Sequence, residues 1–166
     1  MSSAQLLWVP AYVGLGSNLN DPCAQVQRGF EALSHIPQTL LIARSSLYRT
    51  PPLGPQDQPD FINAAAGLLT RLDPEELLRE MKRCERELGR ESAAVRWGPR
   101  IIDFDLLVYG DRRIDAAQLR VPHPGIQARN FVLYPLAEIA PELNVPGAGS
   151  VSELLRRAAA TQIQKL

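Results

Sequence analysis

A single α+β domain is the fold class this sequence predicts, and three observations predict it. The chain is 166 residues long, a length that suits one core and can bury about two-thirds of its extended surface. Strand-like and helix-like stretches alternate irregularly, without the strict βαβ rhythm of a doubly wound parallel sheet. No internal repeat or low-complexity tract divides the chain.

Composition narrows the function classes. Charge is balanced at 18 basic against 18 acidic side chains, so neither a nucleic-acid footprint nor a patch for anionic membrane is indicated. Every basic residue except Lys82 and Lys165 is Arg, which suits bidentate phosphate contacts and follows equally from a compositional habit of the genome. No apolar run approaches the ~18–20 residues of a membrane span. Met1 to Trp8 lacks the basic region and long apolar core of a secretory leader. The expectation is a protein of a reducing cytoplasm, with Cys23 and Cys84 as small residues packed within helices, since neither has a partner at metal-ligand spacing.

In chain order, residues 9–15 read as a first strand that exits tightly through Gly14-Leu15-Gly16-Ser17-Asn18. That stretch lacks the Lys-Ser/Thr ending of a P-loop and the third Gly of a dinucleotide fingerprint. Asp21 before Pro22 is a helix start; Val26, Phe30 and Leu33 recur at helical spacing until Pro37 ends the run, with His35 as an exposed or dipole-facing residue. Residues 40–49 alternate imperfectly as a second strand. The segment from Thr50 to Pro59 holds four prolines and a glycine, cannot continue a ladder, and is either a connector or a ligand loop. Residues 61–70 form a third strand with Phe61, Asn63, Ala65 and Gly67 on one face. Phe61 and Asn63 are then either core and cap, or a stacking ring beside a donor–acceptor amide. Asp73-Pro74-Glu75-Glu76 starts a second helix, with Leu77, Leu78, Met81 and Leu88 as its stripe up to Gly89. Residues 113–121 read as an edge segment. Residues 131–139 form a short helix packing Val132, Leu133, Leu136 and Ile139 inward before Pro141. A capped, Ala-rich helix runs from Ser150 to about residue 165.

The chemistry concentrates in residues 101–109, a mostly buried strand. Alternation puts Ile102, Phe104, Leu106 and Val108 on one face, and Ile101, Asp103, Asp105 and Leu107 on the other. Two carboxylates at i and i+2 have Cα atoms about 6.5–7 Å apart and repel unless a cation or proton intervenes. They are either a solvated pair at a strand end or ligands for divalent metal at a phosphoryl site. Arg90, Arg96 and Arg100 lie just upstream around Trp97, and guanidinium groups beside metal-binding carboxylates are what a nucleoside triphosphate requires.

The stretch Trp97-Gly98-Pro99-Arg100-x-x-Asp103-Phe104-Asp105-Leu106-Leu107 resembles the signature of the 6-hydroxymethyl-7,8-dihydropterin pyrophosphokinases, which move pyrophosphate from ATP to a pterin alcohol in folate biosynthesis. The likeness extends over roughly residues 11–146. It implies a ferredoxin-like core, with a mainly antiparallel central sheet and helices on both faces. It implies Asp103 and Asp105 as ligands of two Mg²⁺ ions and, with Arg90 and Arg100, as the catalytic set. Arg90, Trp97, Leu106, His123 and Arg129 would contact ATP. Thr50, Pro51, Leu53, Phe61, Asn63, Trp97 and Phe131 would hold the pterin, with Phe61 and Phe131 sandwiching its ring. Residues 90–100 would be a loop closing over ATP. His123, on a Pro-rich loop and otherwise structural or solvent-facing, would meet the phosphates. Some relatives carry Tyr at the position of Phe61, basic residues near Ser92 and Ala93, and a basic residue where Gln118 stands, so those contacts would differ here.

The expected partners are therefore small molecules, ATP and a pterin, with no nucleic acid, no membrane and a monomeric chain. Two readings from other classes use the same aspartates: a metal-dependent phosphoesterase, and a nucleotide-binding regulator that makes no AMP.

Overall fold

The computed structural model of the protein describes residues 7–52, 56–89, 101–158 and 162–166. Its centre is a six-stranded antiparallel sheet. β1 (Val9–Ser17) lies between β4 (Phe61–Thr70) and β5 (Asp103–Tyr109). β4 is flanked on its other side by β2 (Thr39–Arg44) and β3 (Tyr48–Thr50) in succession, and β10 (Gln164–Lys165) pairs β3 at the far edge. β1 and β2 are thus parallel with β4 between them, joined through α1 (Pro22–Ser34). β4 and β5 are parallel with β1 between them, joined through α2 (Pro74–Glu87). Two interleaved split βαβ units make the ferredoxin-like core that the resemblance implied.

Both long helices form for local reasons. Asp21 accepts a hydrogen bond from the Ala24 N–H, and Pro22 opens α1. Asp73 and Glu76 complete a reciprocal capping box on α2, which ends before Gly89 at φ +98°. α1 buries Val26, Phe30 and Leu33 and α2 buries Leu77, Met81 and Cys84 on one face of the sheet, against Val13, Leu15, Ile62, Leu68, Ile102 and Phe104. The opposite face is covered by α3 (Asn130–Ile139) and α4 (Val151–Arg157), through Leu133, Leu136, Val151 and Leu154 against Ala65, Leu107 and Val108.

Several sequence expectations are corrected. β1 does not exit at Gly14 but continues in unbroken pairing with β4 to Ser17. The expected second strand is two: Ser45 interrupts it, its N–H donating to the Ala65 carbonyl while its hydroxyl accepts from the Ala65 N–H, so a side chain stands in for a ladder position. Val108 packs with Leu107 on the α3 face rather than with Leu106. The cause is a β-bulge: Tyr12 opposes Val108 and Val13 opposes Leu106, leaving Leu107 as the extra residue that resets alternation. The edge segment is a separate hairpin of β6 (Ile114–Asp115) and β7 (Arg120–Val121). β8 (Asn144–Val145) pairs β9 (Gly149–Ser150) in another. The last helix is capped by Ser150 as expected but ends at Arg157, and the chain returns to the sheet as β10. Both cysteines are free, Cys84 buried and Cys23 partly so. Among the described residues no helix is long and apolar enough to cross a membrane.

Candidate active site

The register of three strands builds the floor of a cleft on the α3 face. Gly16 of β1 lies between Asn63 of β4 and Asp103 of β5; two residues back, Gly14 lies between Ala65 and Asp105. Adjacent strands are ~4.8 Å apart, so Asn63 and Asp103 face each other across about 10 Å of bare glycine backbone. A Cβ on Gly16 would meet Asn63 Oδ1 at 3.2 Å and Phe61 Cδ1 at 3.9 Å. The same cleft is lined by Thr50, Pro51 and Phe61 on the β3–β4 side and by Arg129, Phe131 and Val132 on the α3 side. Asn63 donates from Nδ2 to Thr50 Oγ1 at 2.7 Å, which leaves its carbonyl oxygen for a ligand edge.

A second pocket opens on the other side of the acid pair. It is lined by Asp103, Asp105 and Leu106 of β5, by Lys82 and Glu85 of α2, and by Gln118, Arg120 and His123 beyond β5. Asp103 and Asp105 belong to both linings. Each is half-buried, in a position to meet a ligand group from either direction.

β5 borders this pocket with the edge turned away from β1, and that edge is bonded. Its Phe104 N–H donates to the carboxylate of Glu85, which is 4% exposed, at 2.9 Å. Its Leu107 carbonyl accepts from the His123 N–H at 2.8 Å. These bonds satisfy backbone groups that an open edge would leave to another chain, and fix α2 and the His123 turn to the acid strand. His123 Nδ1 accepts from the Gly125 N–H at 3.0 Å, so a neutral ring carries its proton on Nε2, 3.7 Å from Asp105 Oδ1. Burial, and after it the Arg129 guanidinium, hold the His123 pKa below its usual value, against the pull of Asp103. The ring is therefore an uncharged N–H donor at neutral pH.

Thr50, Pro51, Phe61, Asn63, Phe131, Asp103 and Asp105 meet in the first cleft. Leu106 and His123 join the acid pair in the second. Arg129, expected on the nucleotide, lines the first cleft, its guanidinium carbon 5.9 Å from the Phe131 ring centre. Leu53, Arg90, Trp97 and Arg100, and the loop 90–100 expected to close over ATP, lie outside the described residues. The sequence reading missed Gly14 and Gly16 as floor, Glu85 as support for β5, and Asn18, whose Nδ2 donates to Gln58 Oε1 and to the Pro59 carbonyl, both at 2.9 Å. The last pair ties the end of β1 to the Pro-rich loop; the signal was Asn18 itself, a polar residue directly after a strand.

Both the sequence and the fold are met in known proteins. A family described as 7,8-dihydro-6-hydroxymethylpterin-pyrophosphokinase matches residues 12–141. A Pseudomonas aeruginosa protein named 2-amino-4-hydroxy-6-hydroxymethyldihydropteridine pyrophosphokinase is 46% identical over 155 residues, 93% of this chain and 95% of the relative. A Haemophilus influenzae protein of the same name is 43% identical over 158 residues, 95% and 98% of the two chains. The chain belongs to the 7,8-dihydro-6-hydroxymethylpterin-pyrophosphokinase family. Among solved structures, Plasmodium falciparum HPPK-DHPS with pteroate superposes with a TM-score of 0.73 over 95% of this chain at 16% identity, a likeness of fold. This chain spans 43% of that longer one.

Proposed function

We propose that this chain transfers pyrophosphate from ATP to the hydroxymethyl group of 6-hydroxymethyl-7,8-dihydropterin, giving AMP and the pterin diphosphate, as a step of folate biosynthesis. One observation carries the reading: a single acid pair forms the common wall of a ring-flanked cleft and a second pocket. A two-substrate phosphoryl transfer needs that adjacency, because the attacking oxygen and the phosphorus must meet in line at the metal.

The donor set fits magnesium. Among the described residues no group of three or more His, Cys, Asp or Glu could hold a metal ion, so Asp103 and Asp105 would leave most coordination positions to water and phosphate oxygens. Mg²⁺ is bound in that way, by one or two carboxylates plus substrate phosphates. Bound there as two ions, it would neutralise triphosphate charge and fix the geometry of transfer.

In this reading Phe61 and Phe131 stack the pterin from opposite sides, and Asn63 and Thr50 bond its polar edge. Thr50 and Pro51 close the cleft on the loop side, and Leu53 is assigned to the pterin by the family resemblance alone. The bare glycine floor leaves room for the edge of the ring, with its hydroxymethyl group toward the acid pair. Leu106 packs beneath the nucleotide, His123 donates its Nε2 proton to a phosphate oxygen, and Arg129 spans the join of the two ligands. Arg90, Trp97 and Arg100 are assigned by the family resemblance. The alcohol oxygen bonds to the β-phosphorus while the bond from that phosphorus to the α-bridging oxygen breaks, AMP leaves, and the alcohol proton passes to solvent. No side chain is assigned as an obligatory base.

The test is a product assay with ATP, Mg²⁺ and the pterin alcohol. AMP and pterin diphosphate in equal amounts are expected. Phosphate release without pterin would indicate a phosphoesterase, and ATP binding without AMP a regulator.

A further inference from the structure

We infer that Glu138 is a positioning residue for the pterin cleft, holding its two ring-bearing walls at a fixed offset by tying α3 to β3. The inference rests on the assignment of the first cleft to the pterin. One wall is β3 and β4, where Tyr48 opposes Asn63 and Thr50 opposes Phe61. The other is the start of α3, which carries Phe131. Glu138 is seven residues further along α3. Seven residues are close to two turns, so Glu138 and Phe131 share a face of the helix about 10 Å apart.

From that face Glu138 reaches across to the strand. Its carboxylate accepts from the Tyr48 hydroxyl at 2.6 Å, from the Ser46 N–H at 2.9 and 3.1 Å, and from the Ser46 hydroxyl at 3.0 Å. Lys165 of β10 places its ammonium 4.0 Å away, and the Leu166 N–H donates to the Leu47 carbonyl at 2.8 Å. Ser46 of the β2–β3 break, Tyr48 of β3 and Lys165 of the C-terminal strand therefore converge on one carboxylate.

β3 needs such a tie. It is three residues long, and among the described residues its outer edge pairs with the two-residue β10. Leu133 and Leu136 hold α3 against the sheet through apolar contact, which is non-directional and does not fix a helix along its own axis. Hydrogen bonds to an ionised acceptor are directional and strong. Tyr48 and Thr50 are two residues apart on one face of β3 and are both buried, so a shift of Tyr48 moves Thr50 and breaks its bond to Asn63. The offset between Phe61 and Phe131 shifts with it. Preorganisation of a binding cleft is read in affinity.

The test compares Tyr48→Phe, Glu138→Gln and Glu138→Ala with the wild-type chain, measuring KM for the pterin and for ATP, kcat and Tm. Tyr48→Phe and Glu138→Ala are expected to raise the pterin KM about tenfold, with the ATP KM and kcat changed by less than about threefold. Glu138→Gln, whose amide oxygen can still accept from Tyr48 but whose NH₂ cannot accept from Ser46, falls between. Equal rises in both KM values, or a lower Tm with the pterin KM unchanged, would overturn the inference. Tyr48→Phe removes one oxygen and keeps the test readable should Glu138→Ala fail to fold. A wild-type chain that makes no pterin diphosphate would defeat the functional assignment instead, so the two failures are distinct.

Discussion

Gly16 acts by lacking a side chain. It sits in regular strand pairing between Asn63 and Asp103, where a β-branched residue would suit the backbone and fill the floor. Gly16→Val should therefore fold but raise the pterin KM by about a hundredfold while the ATP KM moves little, as steady-state kinetics would show; an unaffected pterin KM would mean that the ring does not lie there. Phe61→Ala should weaken the pterin in preference to ATP by about tenfold, the scale of an aromatic stacking contact, and equal losses for both ligands would contradict the sandwich. The two kinds of residue differed in how far they could be read beforehand. That Asp103 shares a face with Asp105, and Phe61 with Asn63, was legible because alternation along each strand decides which side chains point together, while their assignment to ligands came from the family resemblance. Gly14 and Gly16 were misread as a strand exit, because their meaning lies in the strands beside them and register across strands is not written locally.

At the scale of elements, α1 approaches the sheet closely enough that Gly29 is part of the packing. A Cβ there would lie 3.0 Å from Leu15 Cδ2, 3.1 Å from Phe104 Cε1 and 3.2 Å from Ile102 Cδ1. Alanine gains about 1 kcal/mol of helix propensity but overpacks a filled core at a cost of about 1–3 kcal/mol. Gly29→Ala should therefore be destabilising by roughly 1 kcal/mol in denaturant unfolding, and a stabilised variant would show that the helix can lift freely. The Glu138 tie has its own signature in acid. Accepted hydrogen bonds from Tyr48 and Ser46, with Lys165 nearby, hold the Glu138 pKa below its ordinary 4.5 despite partial burial. A lowered carboxylate contributes stability that is present above 4.5 and is lost as pH falls toward the lower folded value. The Tm gap between wild type and Glu138→Gln should be constant from pH 7 to about 5 and shrink below it; a gap unchanged in acid would mean that the charge at Glu138 contributes nothing. Helix starts were legible here, since Asp21-Pro22 and Asp73-Pro74 cap through neighbours in sequence. The division of β2 from β3 and the short α4 were not, because Ser45 finds its partner in β4, and residues 164–165 leave the helical pattern to pair with β3.

Across the whole molecule, the split βαβ pairing brings together segments far apart in the chain: the Gly14–Gly16 floor, the Phe61–Asn63 face, the acid strand and the start of α3. The family signature made the pairing of ATP with a pterin legible from sequence, yet the separation into two pockets with a common acidic wall emerges only when β5 is seen at the sheet edge, supported by Glu85 and His123. Binding of an ATP analogue with a methylene group in place of the α,β-bridging oxygen, titrated with and without Mg²⁺ into wild type, Asp103→Asn and Asp105→Asn, tests this most directly. The account predicts affinity that rises at least about a hundredfold with Mg²⁺ in the wild type and loses that dependence in either variant, with each variant's Tm within a few degrees of the wild type. Variants that keep the full Mg²⁺ dependence would contradict it.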